Sequence, residues 1–510
     1  MILTKFLFIL LTRINKLLEV WIMFMKKLIE APLALTFRDV VILPGRSPVD
    51  PEEVNVATQV TKNYRLNIPL VSSPMDTVTG AEMAIVMAKM GGLGVLHRNC
   101  SIEEQIKMAK LVKEADVHVK AIPNITAKDS IKEALNVMNR YKINIVPITD
   151  EEGSLVGVIT KINALLRNQE EPIYRAMRGD YPYVKTGTRI EYVINVMAEK
   201  ALTEIPVVDN DGRLVGIITA EEIALRNKFR DAALDKDGRL LCAAAISPFD
   251  EKRALELDKV VDILVLDVAH FHNDKCIAAM KKLEKKLSAD IVIGNIGTKE
   301  AVKDILSNLE KVDGFRVGIG SGSICTTAEV TGALAPTLFA VAQVADALIE
   351  ENAKVPVIAD GGIRVPGDAA KAFAVGASAI MLGYVLAGCD ESPSPIVEIS
   401  GIKFKYYRGM ASKAAKAKRY AADRYSRVVK DIEEGIEALV RYRGSAVKVI
   451  SEFISGLKAA MGYAGARSVK EMWYKAKLAL ISPLGAQERA PHSVIPLSEL
   501  KSMFTEHLKM

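Results

Sequence analysis

Residues 354–360 read KVPVIAD and residues 377–383 read ASAIMLG, two short apolar strands separated by an amphipathic stretch, RVPGDAAKAFAVG. Each strand ends in a small or polar residue where the next segment begins, as a βα unit does. The same pattern recurs in IPLVSSP (68–74), GGLGVLH (91–97), VDILVLD (261–267), ADIVIGN (289–295) and GFRVGIG (314–320). Repeated βα units require a parallel sheet, either doubly wound or closed into a (β/α)8 barrel. Seven strands with small or polar C-terminal ends favour the barrel, whose active site lies at that rim. These strands fall in two blocks, 31–118 and 228–490, read as two parts of one barrel.

The segment between them, 119–227, carries an internal repeat. VPITDEEGSLVGVIT begins at Val146 and IPVVDNDGRLVGIIT at Ile205, an offset of 59 residues. Each copy is a short strand, a polar turn with glycine (Gly153, Gly212) and a second apolar strand, which signals a hairpin. A helical stretch precedes each, IKEALNVMNRY and IEYVINVMAEK. Two such units pack face to face into one small domain inserted in the barrel.

The chain has 510 residues and a net charge of +6, too weak for a dedicated polyanion binder. Its five cysteines (Cys100, Cys242, Cys276, Cys325, Cys389) are widely spaced and form no CxxC pair. That pattern excludes a disulfide scaffold or zinc ribbon and points to a reducing, cytoplasmic setting. Residues 1–30 form an N-terminal extension whose apolar run is interrupted by Lys5, Arg13, Lys16 and Glu19. It falls short of the roughly 18 apolar residues of a membrane span and has no small-residue cleavage site. An early start codon, with Met23 or Met25 as the true start, or an amphipathic docking helix accounts for it. No membrane partner is expected, and residues 491–510 are a C-terminal tail.

The chemistry concentrates in VGIGSGSICTT, Val317 to Thr327. A strand runs into Gly318, Gly320 and Gly322, whose backbone turns tightly and brings amides or carbonyls against an ion. A cysteine on such a loop at a barrel rim is placed to act as a nucleophile. The other four cysteines sit in helical or apolar surroundings and read as packing residues.

With LTFRDV (35–40), SSPMDTVT (72–79), GGLGVLHRN (91–99), ADGGI (359–363) and YRGMAS (407–412), that loop resembles the inosine-5′-monophosphate dehydrogenase / GMP reductase family. The resemblance covers about residues 35–490, and the inserted repeat resembles a tandem CBS pair. It implies a (β/α)8 barrel in a homotetramer, with inosine monophosphate (IMP) as substrate, NAD as cofactor and potassium as bound ion. Cys325 would attack C2 of the hypoxanthine ring, with Thr327 positioning water that Arg424 and Tyr425 activate. Ser323, Tyr407, Gly362 and Gly383 would hold the 5′-phosphate and Asp360 the ribose. Met410, Ala411 and Glu434 would read the purine, with Ser73 and Met75 lining the same pocket. Asp267, Asn295 and Gly318 would face the nicotinamide ribose and active centre. Carbonyls of Gly320, Gly322 and Cys325 match the potassium site, completed by Glu488, Arg489 and Ala490 of a neighbouring subunit. The CBS pair implies an adenine nucleotide, with an acidic residue three positions after the Thr of each copy. The second copy has Glu222 there, the first Asn163.

Several residues depart from the dehydrogenase pattern. Val268 and Phe271 suggest a less polar, more crowded cofactor pocket, Tyr384 stands where a small residue meets the phosphate, and Ala328 and Ala411 are further changes. The run 366–392 looks more like the reductases, which deaminate GMP to IMP with NADPH. The Arg424–Tyr425 pair, which reductases do not need, favours the dehydrogenase. A diverged nucleotide sensor that keeps the barrel is a third reading. Nucleic-acid binding is not expected, because the basic run 412–427 coincides with the mobile flap of the family.

Overall fold

The computed structural model describes residues 24–494 apart from 116–118, 189, 228, 230, 419, 421–431 and 490. Eight strands form one closed barrel: β1 (Leu70–Ser72), β2 (Leu93–Leu96), β3 (Ala243–Ile246), β4 (Ile263–Leu266), β5 (Asp290–Ile296), β6 (Gly314–Val317), β7 (Val357–Asp360) and β8 (Ala379–Leu382). Every neighbouring pair is parallel, and β8 closes on β1 through Ile380–Leu70, Met381–Val71 and Leu382–Ser72. The sequence reading had seven of these strands. The missing one, β3, is AAAI, because alanine has little strand propensity of its own. It is a strand here because β2 and β4 pair with it on either side and close the ring.

Side chains alternate across the sheet as a two-residue period demands. Val71, Val95, Ala243, Ala245, Ile263, Val265, Val292, Ile358, Ala379 and Met381 form the inner cluster. Their neighbours Leu70, Leu96, Ala244, Ile246, Leu264, Leu266, Ile291, Ile293 and Ile380 join the larger core between strands and helices. Helix starts are fixed locally. Ser101 and Glu104 make a capping box for Ile102–Glu114, and Asn273 and Thr298 cap Asp274–Leu283 and Lys299–Asn308.

Residues 120–227 contribute no strand to the barrel. They form two hairpins, Ile145–Thr149 with Leu155–Thr160 and Glu204–Val208 with Leu214–Thr219. Each follows a helix, Ile131–Tyr141 or Ile190–Glu199. The copies lock by a reciprocal exchange: Leu155 N–H donates to Gly212 O at 3.1 Å and Leu214 N–H to Gly153 O at 2.9 Å. Both connections to the barrel sit at the N-terminal ends of its strands. Lys113, at the end of Ile102–Glu114, pairs with Asp235 at 2.9 Å on the returning chain and with Asp262 just before β4. The insertion therefore leaves from the rim opposite the catalytic ends.

Beyond β8 an antiparallel sheet of Ile396–Ile399, Ile402–Arg408 and Glu437–Arg441 carries Tyr407 and Glu434 back over the barrel mouth. Val40–Leu43 pairs with Lys477–Leu480 on the outside. Among the described residues no helix is long and apolar enough to cross a membrane.

Candidate active site

The C-terminal ends of the barrel strands surround one cleft. Its walls include Ser73, Met75, Asp267, Asn295, Arg316, Gly318, Gly320, Gly322, Cys325, Thr327, Asp360, Tyr407, Met410, Ala411 and Glu434. Residues quoted from six separate motifs thus meet at one place. Gly318 is required where β6 turns: its φ is +128°, and a Cβ there would stand 2.2 Å from Asp360 O.

Cys325 is the only partly exposed cysteine of the five. Burial pushes the thiols of Cys100, Cys242 and Cys389 up to about 11, 12 and 12, so they stay protonated and inert. The Cys325 sulfur lies 3.2 Å from Thr327 Oγ1, which donates to Glu434 Oε2 at 2.9 Å. Glu434 is itself buried, and its carbonyl lies 3.8 Å from the same sulfur. The loop is held from behind, since Ile436 N–H donates to Ile324 O and Thr326 N–H to Glu434 O.

Deeper in the cleft, Arg316 rises from β6 and bridges two carboxylates. Its Nη1 donates to Asp267 at 3.0 Å and its Nε to Asp360 at 2.8 Å. Burial works against the guanidinium charge, but Asp360 and Asp267 outweigh it and raise the pKa further. Asn295 adds Nδ2 contacts to Asp360 at 2.9 Å and to Gly318 O at 2.8 Å. Its Oδ1 is buried without a hydrogen-bond partner, an acceptor left for something that enters the cleft. Sequence reasoning missed Arg316, although a lone charge inside an otherwise apolar strand was the available signal.

Not every expected residue joins this wall. Ser323, Gly362 and Gly383 stand just outside it; a Cβ on Gly383 would lie 2.9 Å from Tyr407 Oη, so only glycine fits beside that hydroxyl. Burial pushes the Tyr407 pKa up, which keeps the hydroxyl a donor. Arg489 lies by Arg38, donating to its carbonyl at 2.6 Å, and neither it nor Glu488 reaches the cysteine loop within this chain. Arg424, Tyr425 and Ala490 lie outside the described residues.

The expectation of a crowded, apolar cofactor pocket is corrected. Val268 and Phe271 are fully buried in the core between strands and helices, and Asp267 and Ala269 face the cleft instead. Both apolar side chains took the dry side of the loop, as their transfer energy favours. Tyr384 likewise does not line the cleft; its ring lies under the Arg443 guanidinium, 5.2 Å from the centroid. Among the described residues no group of three or more His, Cys, Asp or Glu converges as a metal site.

A thiol on a glycine loop at the catalytic rim, backed by a hydroxyl and a carboxylate, is the arrangement of (β/α)8-barrel enzymes that act through cysteine. Comparison with known proteins narrows this class. A model of the IMP dehydrogenase / GMP reductase domain matches residues 34–492, and the chain belongs to that family. It is 47% identical over 470 residues to the inosine-5′-monophosphate dehydrogenase of Korarchaeum cryptofilum, covering 92% of this chain and 98% of that protein. It is 44% identical over 493 residues to the same-named protein of Methanocaldococcus jannaschii, covering 94% and 98%. Among solved structures, a cysteine-to-alanine variant of GMP reductase from Trypanosoma brucei in complex with guanosine 5′-monophosphate is 34% identical. It aligns with a TM-score of 0.78 over 92% of this chain and all of that one.

Proposed function

We propose that this chain is an IMP dehydrogenase, oxidising inosine 5′-monophosphate to xanthosine 5′-monophosphate with NAD+ in guanine nucleotide synthesis. The observation that carries the reading is the Cys325–Thr327–Glu434 line in the cleft. The Cys325 thiolate forms a bond to C2 of the purine as C2 loses hydride, leaving a covalent thioimidate. Water then adds to C2, the C–S bond breaks, and the thiol is regenerated. Thr327 and Glu434 carry protons during these steps. Arg424 and Tyr425 are assigned to activating the water.

Bound NAD+ supplies the hydride acceptor. Asp267 and Gly318 would hold it, and Asn295 stands on the substrate side of the active centre, its unpaired Oδ1 open to a donor. Asp360 would hold the substrate ribose, with Met75, Met410 and Ala411 against the purine and Ser323, Gly362, Gly383 and Tyr407 at the phosphate. The carbonyls of Gly320, Gly322 and Cys325 suit potassium, completed by Glu488, Arg489 and Ala490 of a partner subunit in a homotetramer. We assign residues 119–227 to a CBS pair binding an adenine nucleotide, flanked by barrel parts 31–118 and 228–490, in a cytoplasmic protein.

The likeness to a GMP reductase structure supports a second reading, NADPH-dependent conversion of GMP to IMP. Absorbance at 340 nm separates the readings. A rise with IMP, NAD+ and potassium is expected, whereas a fall with GMP and NADPH would make the protein a reductase. No change in either cuvette would favour a nucleotide sensor.

A further inference from the structure

Three of the family-like motifs meet at a point outside the roles assigned above. Asp76 follows Met75 in SSPMDTVT, Asn99 closes GGLGVLHRN and Arg408 opens YRGMAS after Tyr407. The Asp76 carboxylate, 1% exposed, accepts from Arg408 Nε at 3.0 Å and from Arg408 Nη2, and from Asn99 Nδ2 at 2.8 Å, with Lys418 Nζ at 3.7 Å. Burial pushes this carboxyl up, but the Arg408 hydrogen bond and charge bring it below the ordinary range.

The contacts around it cross between two segments that both wall the cleft. The Asp76 N–H faces Met410 Sδ at 3.5 Å, the Tyr407 hydroxyl faces Met75 Sδ at 3.8 Å, and Arg408 N–H donates to Thr77 Oγ1 at 3.3 Å. Asn99 Nδ2 also reaches Ala415 O at 3.3 Å, beyond the second segment. On its far side that segment has no slack. A Cβ on Gly409 would stand 3.1 Å from Gly435 Cα and 3.2 Å from Ile324 O, one residue before the nucleophile.

We propose that Asp76 is a positioning residue for the purine, its carboxylate clamping the 73–77 loop to the 407–411 strap so that Met75 and Met410 face each other across the ring at a fixed spacing. This rests on the reading of the cleft as a purine nucleotide site. The clamp acts on Met75 and Met410, which wall the cleft beside Cys325, so its larger effect falls on the purine.

Calorimetric titration of the full chain with IMP, which needs no turnover, tests it alongside steady-state kinetics. In Asp76→Asn the IMP dissociation constant and KM are expected to rise by about tenfold or more, with the NAD+ KM within about twofold. Arg408→Lys, which keeps the charge and loses the fork, is expected to show a smaller rise of the same kind. Unchanged IMP affinity in either folded variant overturns the proposal, as does an equal rise for both substrates or a loss of kcat alone. Wild-type protein that binds IMP but does not oxidise it would overturn the dehydrogenase reading and leave the clamp to be judged on binding. Wild-type protein that binds no purine nucleotide would sink both.

Discussion

The hydroxyl of Thr327 stands 3.2 Å from the sulfur of Cys325. Its single proton points to Glu434 at 2.9 Å, so the oxygen turns a lone pair toward the thiol. A proton leaving sulfur therefore has a path to a carboxylate without crossing open water.

Replacing Thr327 by valine keeps the shape and removes that path. We expect kcat to fall by about a hundredfold, with IMP binding little changed, and serine at the same position to restore most of the rate. Steady-state kinetics on the two variants checks this; a valine variant with full kcat would remove Thr327 from the chemistry.

Cys325 is set apart from four buried thiols. In the native protein iodoacetamide should label one cysteine, with IMP slowing the reaction, and labelling should reach all five only after unfolding. Cys325→Ser should lower turnover by about a thousandfold or more. Mass spectrometry of the labelled protein gives the site directly.

His97 links stability to pH. Desolvation lowers its pKa from 6.5 to about 4, against the weaker pull of Asp76. A histidine that resists protonation when folded binds its proton more readily in the unfolded chain, so stability falls as pH drops from about 6.5 toward 4. Between pH 7.5 and 5 this group alone removes about 2 kcal/mol. The urea midpoint of His97→Gln should lose that part of the pH slope; an identical slope would show that other groups set it.

Lys113 is held between Asp235 and Asp262, all three nearly buried. Lys113→Met leaves Asp262 buried with only the Cys242 N–H as partner, while Asp235 keeps Arg239 at 3.0 Å, and the loss costs about 3 kcal/mol. Thermal unfolding should move down markedly, while kcat at room temperature stays near the wild-type value because the triad lies at the far rim. An unchanged melting temperature would mean that water replaces the ammonium.

The barrel was legible because seven of its strands carry enough β-branched and leucine side chains to stand out, and their small or polar ends marked the catalytic rim. The alanine strand at 243–246 was not, since alanine carries little strand signal and only pairing with the strands on either side makes it one. The cysteine loop and most of its company could be read from motifs, and the cleft assembles them. What escaped were pairings at long sequence distance. Arg316 with Asp267 and Asp360 spans 49 and 44 residues, and Asp76 with Arg408 spans 332. Periodicity reports which face a residue occupies, and it is silent on which distant charge arrives to meet it. Val268 and Phe271 were misjudged for a related reason, because being next to Asp267 in the chain does not put them on the same side of the loop.

At the foot of the barrel Lys113 on the outgoing chain touches Asp235 on the incoming one. Ends that close together make the hundred or so residues between them portable. Such a module can be dropped, acquired or traded for another in a single splice, with no strand of the ring losing a neighbour. The ring's closure is thus independent of what is spliced between those two ends.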